Sequence, residues 1–145
     1  MRREDLRAFI SAGVDELSPT VQFNSGRITE FNSKRSNKYP FIWLESLART
    51  PIANGLVWNI VLHIAKKDKM DSSPEQYEKI IDECDYIAQQ LMAQYKLLLE
   101  GYDQLVIEAG SENGNAEPFI HRHADDTSGV ILSFELQDFS PANVC

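Results

Sequence analysis

Trp58-Asn59-Ile60-Val61-Leu62-His63-Ile64-Ala65, followed by Ser73-Pro74-Glu75-Gln76-Tyr77, is the stretch whose reading decides the fold. In its first part Trp58, Ile60, Leu62 and Ile64 alternate with Val57, Asn59, Val61 and His63, the two-residue period of a strand. One face is wholly apolar and the other mixed, as a sheet covered by helices on one side requires. In the second part Ser73 stands as an N-cap, Pro74 at the first helical position, and Gln76 where a capping box needs it. Tyr77, Ile80, Ile81, Cys84, Ile87, Ala88, Leu91, Met92, Tyr95, Leu98 and Leu99 then form one continuous stripe. A long helix is therefore expected over Pro74–Glu100, with Gly101 as its left-handed stop.

Outward from this stretch, Phe119–Ala124 and Val130–Phe139 read as an antiparallel pair joined by a turn at Asp125-Asp126-Thr127-Ser128-Gly129. Val130, Leu132, Phe134 and Leu136 take the inward positions of the last strand, Ser133, Glu135 and Gln137 the outward ones. Gln104–Glu108 is a short strand candidate and Gly110–Ala116 a loop. Toward the N-terminus, Leu6, Phe9, Ile10, Val14 and Leu17 give an amphipathic helix over Arg3–Leu17, ended by Ser18-Pro19. Thr20–Phe23 and Arg27–Phe31 flank Asn24-Ser25-Gly26 and read as a hairpin. Asn32–Lys38 is a basic loop, Tyr39–Leu44 a strand with Pro40 at its start or at a sheet edge, and Ala48–Gly55 a connecting loop. The sum is one α+β domain over residues 1–145. Its sheet is mainly antiparallel, with an N-terminal helix and one long helix packed on one face, and residues 140–145 form a mobile tail.

Composition narrows the function classes. The chain of 145 residues carries 14 basic and 22 acidic side chains, a formal net charge of −8 that opposes non-specific attraction to phosphate backbones. No apolar run reaches membrane-spanning length, and Met1-Arg2-Arg3-Glu4-Asp5 lacks the apolar core of a signal peptide. No membrane partner is expected, and a reducing, cytosolic setting follows. There Cys84, on the apolar helix stripe, behaves as a small hydrophobe, and Cys145 ends the tail.

One cluster invites a chemical reading: His121, His123 and Asp125, with Asp126 beside them. Two histidines at strand spacing share a face and can chelate a metal, and His63 could join from another strand. Against that, Arg122 separates the histidines, and aspartates are wanted at a turn for backbone reasons. A solvated strand face followed by a turn is the preferred reading, so no metal or cofactor is expected. Glu75, Glu78, Asp82, Glu83 and Asp85 keep the long helix soluble. Neither a nucleophile elbow nor a phosphate-binding loop occurs. No catalytic residue is assigned, and the chain reads as a structural or interaction protein.

The order of elements resembles the tail-terminator and tail-completion proteins of long-tailed bacteriophages. The likeness rests on the Tyr39-Pro40-Phe41-Ile42 entry into a strand, on the strand-to-long-helix passage, and on the turn Asp126-Thr127-Ser128-Gly129-Val130 with its final strand. The resemblance implies an α+β fold, no enzymatic activity, and assembly into a hexameric ring within the virion, built in the bacterial host cytoplasm. That ring caps the tail tube, joins it to head-side connector and neck proteins, and lets genome DNA pass without specific binding. Phe23, Arg27, Phe31, Lys34, Arg35 and Lys38, on the hairpin and basic loop, are the candidate subunit-interface residues. Two alternatives compete: a metal-dependent enzyme using His121, His123 and Asp125, and a small acidic cytosolic module binding a basic partner.

Overall fold

The structure, a computed structural model, describes residues 2–17, 22–25, 40–67, 73–107, 113–122 and 127–139. In chain order these hold α1 (Arg3–Asp15), β1 (Gln22–Ser25), β2 (Phe41–Ile52), β3 (Gly55–Lys67), α2 (Pro74–Leu99), β4 (Leu105–Ile107), β5 (Asn115–Arg122) and β6 (Thr127–Asp138). The strands form one sheet in the order β1-β2-β3-β6-β4, and β5 pairs with β6 beside β4. Every pairing is antiparallel except β1 with β2. The architecture is α+β, with both helices on one face, as the apolar alternation requires.

That face carries the main core. Ile42, Leu44, Leu47, Trp58, Ile60, Leu62, Ile64, Val130, Leu132, Phe134 and Leu136 of the sheet pack against Leu6, Phe9, Ile10 and Val14 of α1 and Cys84, Ala88, Leu91, Met92 and Tyr95 of α2. Tyr95 sits at the junction. Its ring lies 5.5 Å from that of Phe9 and 5.4 Å from that of Phe134, and its hydroxyl donates to the Ile10 carbonyl at 3.0 Å. Arg3 ties α1 to the sheet: its Nε donates to the Leu47 carbonyl at 3.3 Å, and its guanidinium lies 5.5 Å from the centre of the Trp58 ring. Lys66 of β3 and Glu83 of α2 form an ion pair.

Several boundaries differ from the sequence expectation, each for a physical reason. Residues 48–52 are strand, not loop: Ile52 faces Gly55 across Ala53-Asn54, making β2 and β3 one hairpin. The alternation slips because two residues, Glu45 and Ser46, oppose Val61, a bulge that returns Leu47 to the helix-covered side. Pro51 is tolerated because β1 covers only Phe41–Leu44, leaving the rest of β2 at an edge. The turn expected at Asn24-Ser25-Gly26 is corrected at Asn24 and Ser25, while Arg27–Phe31, the second arm of the expected hairpin, lies outside the described residues. Asn24 and Ser25 belong to β1, which runs parallel to β2.

The cap of α2 is as expected: Ser73 Oγ accepts from the Gln76 N–H at 3.3 Å, and Gln76 Oε1 accepts from the Ser73 N–H at 3.2 Å. Its end is not. Among the described glycines only Gly114 has positive φ, so Gly101 is not a left-handed stop. The last turn tightens instead through bonds from the N–H groups of Glu100, Gly101 and Tyr102 to the carbonyls of Leu97, Leu98 and Leu99. Thr127-Ser128-Gly129 begins β6 and is not a turn. A Cβ on Gly129 would stand 1.9 Å from the Ile64 carbonyl oxygen, so the close approach of β3 explains the glycine. The expected loop at residues 110–116 shortens, since strand β5 begins at Asn115.

Candidate functional site

The two sheet faces differ in what they carry. Opposite the helices, Phe41, Trp43, Ala65 and Phe119 form a second buried cluster, with Ile131 packed against it. Phe41 and Trp43 stack at 5.9 Å with 22° between their planes. The buried His63 lies in this cluster, 6.2 Å from the Phe119 ring, and its Nε2 is 3.2 Å from Glu45 Oε2. Glu45 reaches it from the bulge of β2. Both tryptophans are core residues, one on each face.

His63, weighed as a further ligand beside His121 and His123, lies on β3, which β6 separates from β5. His63 faces Ile131 of β6, which faces Glu117 of β5. His121 lies four residues further along β5, about 13 Å at the rise of a strand. His123, Asp125 and Asp126 lie outside the described residues. Among the described residues, no group of three or more His, Cys, Asp or Glu side chains is placed to hold a metal.

Of the candidate interface residues, Phe23 is on β1 and packs, half-buried, against the main core. Arg27, Phe31, Lys34, Arg35 and Lys38 lie outside the described residues, as does the 140–145 tail.

Sequence reading missed the feature that stands out beside α2. One flank of the helix, from Asp85 to Lys96, borders a groove of about 650 Å³ whose other side is Asn113, Gly114 and Ala116. The groove exists because β5 begins with small residues. Gly114 has φ 69°, and a Cβ there would meet Leu132 at 2.6 Å. Lys96 Nζ donates to Asn113 Oδ1 at 3.1 Å across its far end, and Gln89 Nε2 donates to Asp85 Oδ2 at 3.3 Å along its rim. The signal in the sequence was the run Asn113-Gly114-Asn115-Ala116, too small to fill a layer beside a long helix. Further round α2, Tyr86 and Leu97 are 61% and 58% exposed, unusual for large apolar side chains on a helix that otherwise buries its stripe.

Burial sets the titration of two groups here. It pushes the Cys84 thiol up to about 12; Lys66 works against the rise and Glu83 adds to it. The Tyr95 phenol is also raised well above its ordinary range by burial. Neither is poised as a nucleophile near neutral pH. Among the described residues, no helix is long and apolar enough to cross a membrane. Comparison with known protein families and with characterised proteins finds no match.

Proposed function

We propose that the chain is a structural subunit of a ring-shaped phage tail or neck assembly, a tail terminator or tail-completion protein. In this role it caps the tail tube and joins it to head-side connector proteins, while DNA passes through the ring. One observation carries the reading: two segments behind the resemblance, the entry into β2 and the passage from β3 to α2, coincide with elements of the sheet and its cover, while the third opens the last strand without the expected turn. Pro40 immediately precedes β2, β3 leads through residues 68–73 into the 26-residue α2, and Thr127-Ser128-Gly129-Val130 starts the 12-residue β6 that organises the sheet. The net charge of −8 is compatible with a passage that does not retain DNA. The subunit's work is then geometric, with no bond made or broken.

The test is mass and shape. Sedimentation and negative-stain imaging at high concentration, alone and with purified tail tubes, should give closed hexameric rings with a central opening wide enough for duplex DNA. A protein that stays monomeric under both conditions and leaves tubes uncapped overturns the proposal.

A further inference from the structure

We infer that the part of β2 beyond β1 is a closed edge, barred from pairing with a second copy of this chain, and that Arg3 of α1 is the latch that closes it. The direction of the backbone groups follows from one bond. The Phe139 N–H donates to the Gln104 carbonyl, so the odd-numbered residues of β6 turn their backbone groups toward β4. Alternation then turns the even-numbered ones toward β3 and the odd-numbered residues of β3 toward β2. Leu47, Arg49 and Pro51 of β2 are left pointing away from the sheet. The bond from Arg3 Nε to the Leu47 carbonyl agrees, because a side chain of α1 reaches that oxygen only where it faces outward. Among the described residues no strand covers this edge, since the pairing of β1 with β2 ends at Leu44.

An uncovered edge is a template for a strand of a second copy. Antiparallel two-fold pairing of this one sets Arg49 opposite Arg49 and Leu47 opposite Pro51. At the centre, two exposed side chains of like charge meet. At both ends the same bond is denied twice. Pro51 has no N–H to give, and the Leu47 carbonyl that would receive it already accepts from Arg3, whose guanidinium is held 5.5 Å from the centre of the Trp58 ring. Shifting the register by two residues brings Arg49 against Leu47 or Pro51, so the occupied carbonyl or the missing donor still stands in the way. The same alternation turns Pro118 outward on the far side of β5, a second proline where an added strand would need a donor. Arg3 differs from the prolines in being conditional: it closes β2 only while α1 is docked.

Restoring the missing groups tests it. R49T/P51T removes the charge and returns the donor. R3M/R49T/P51T also frees the carbonyl, and methionine keeps an apolar stem over Trp58 without a donor. A two-fold pair uses each position twice, so each step should tighten self-association by about tenfold or more in sedimentation equilibrium. Amide hydrogen exchange locates the contact: the Arg49 amide should exchange freely in the wild type, and the amides at 49 and 51 should gain concentration-dependent protection in the variants. Circular dichroism on each variant establishes that it is folded. Variants that associate no more than wild type, or a wild type whose Arg49 amide is already protected as concentration rises, would overturn the inference. A triple variant no tighter than the double would overturn the role of Arg3. The inference does not rest on the ring reading, because these amides report on this edge whether the wild type is a monomer or a ring.

Discussion

Tyr95 and its neighbours show how single residues set the tolerances of this interior. Gly13 of α1 lies beneath the Tyr95 ring, and a Cβ there would stand 2.2 Å from Tyr95 Cε1. Alanine in place of glycine favours a helix by roughly 1 kcal/mol. The ring has little room to retreat, with Phe9 and Phe134 on it and its hydroxyl held by Ile10. Overpacking costs of about 1–3 kcal/mol should win, so Gly13→Ala is expected to lower the urea midpoint despite its better helix propensity. Cys84 makes the second residue-scale prediction. Its thiol rises from 9.0 to about 12 on folding, so between those values the folded state holds a proton that the unfolded state has released. Stability from this group is complete below pH 9 and falls as pH climbs toward 12, by at most about 1.4 kcal/mol per pH unit. Tyr95 adds to the same alkaline loss. Thermal unfolding from pH 8 to 11 should show the decline, and Cys84→Ala should make it shallower; an unchanged slope would assign the loss elsewhere.

The elements differ in how openly the sequence declared them. The helix α2 was legible to within a residue, because its cap, its proline and its stripe are local features that packing has no cause to override. Ser73→Ala removes the side-chain acceptor for the Gln76 N–H and should cost about 1 kcal/mol, measurable by chemical denaturation. Strands β3 and β6 were legible for the same reason, since their alternation is unbroken over the core rows. Strand β2 was not. Its bulge at Glu45-Ser46 shifts the alternating pattern, and Pro51 carries the signature of a loop although an edge accepts it. The parallel pairing of β1 could not be read, because which strands meet depends on the path between them and not on either strand. The groove beside α2 escaped for a related reason: it is a missing layer, visible only once the helix is seen against β5.

At the scale of the whole molecule, the sheet separates two clusters of different make-up, and each contains one tryptophan. Trp58 faces the large helix-covered core, and Trp43 faces the smaller cluster of Phe41, Ala65 and Phe119. Both indoles are buried, at 1% and 0% exposure, so the emission of each reports water entering its own side. The strands that carry them are one hairpin: Trp43 pairs with His63, and Trp58 with Arg49, in a continuous ladder interrupted by a single bulge. Loss of either face would require β2 and β3 to part, and that would open the other face too. Single-tryptophan proteins Trp43→Phe and Trp58→Phe should therefore each show one unfolding transition, coincident with the loss of helix by circular dichroism. Their midpoints are expected to differ from wild type only through the packing lost at the substituted ring. A fluorescence transition in the Trp58→Phe protein, where Trp43 reports, that precedes helix loss would mean the second face opens by itself. The ladder would then be too weak to couple the two sides, and the smaller cluster would be a separately stable unit.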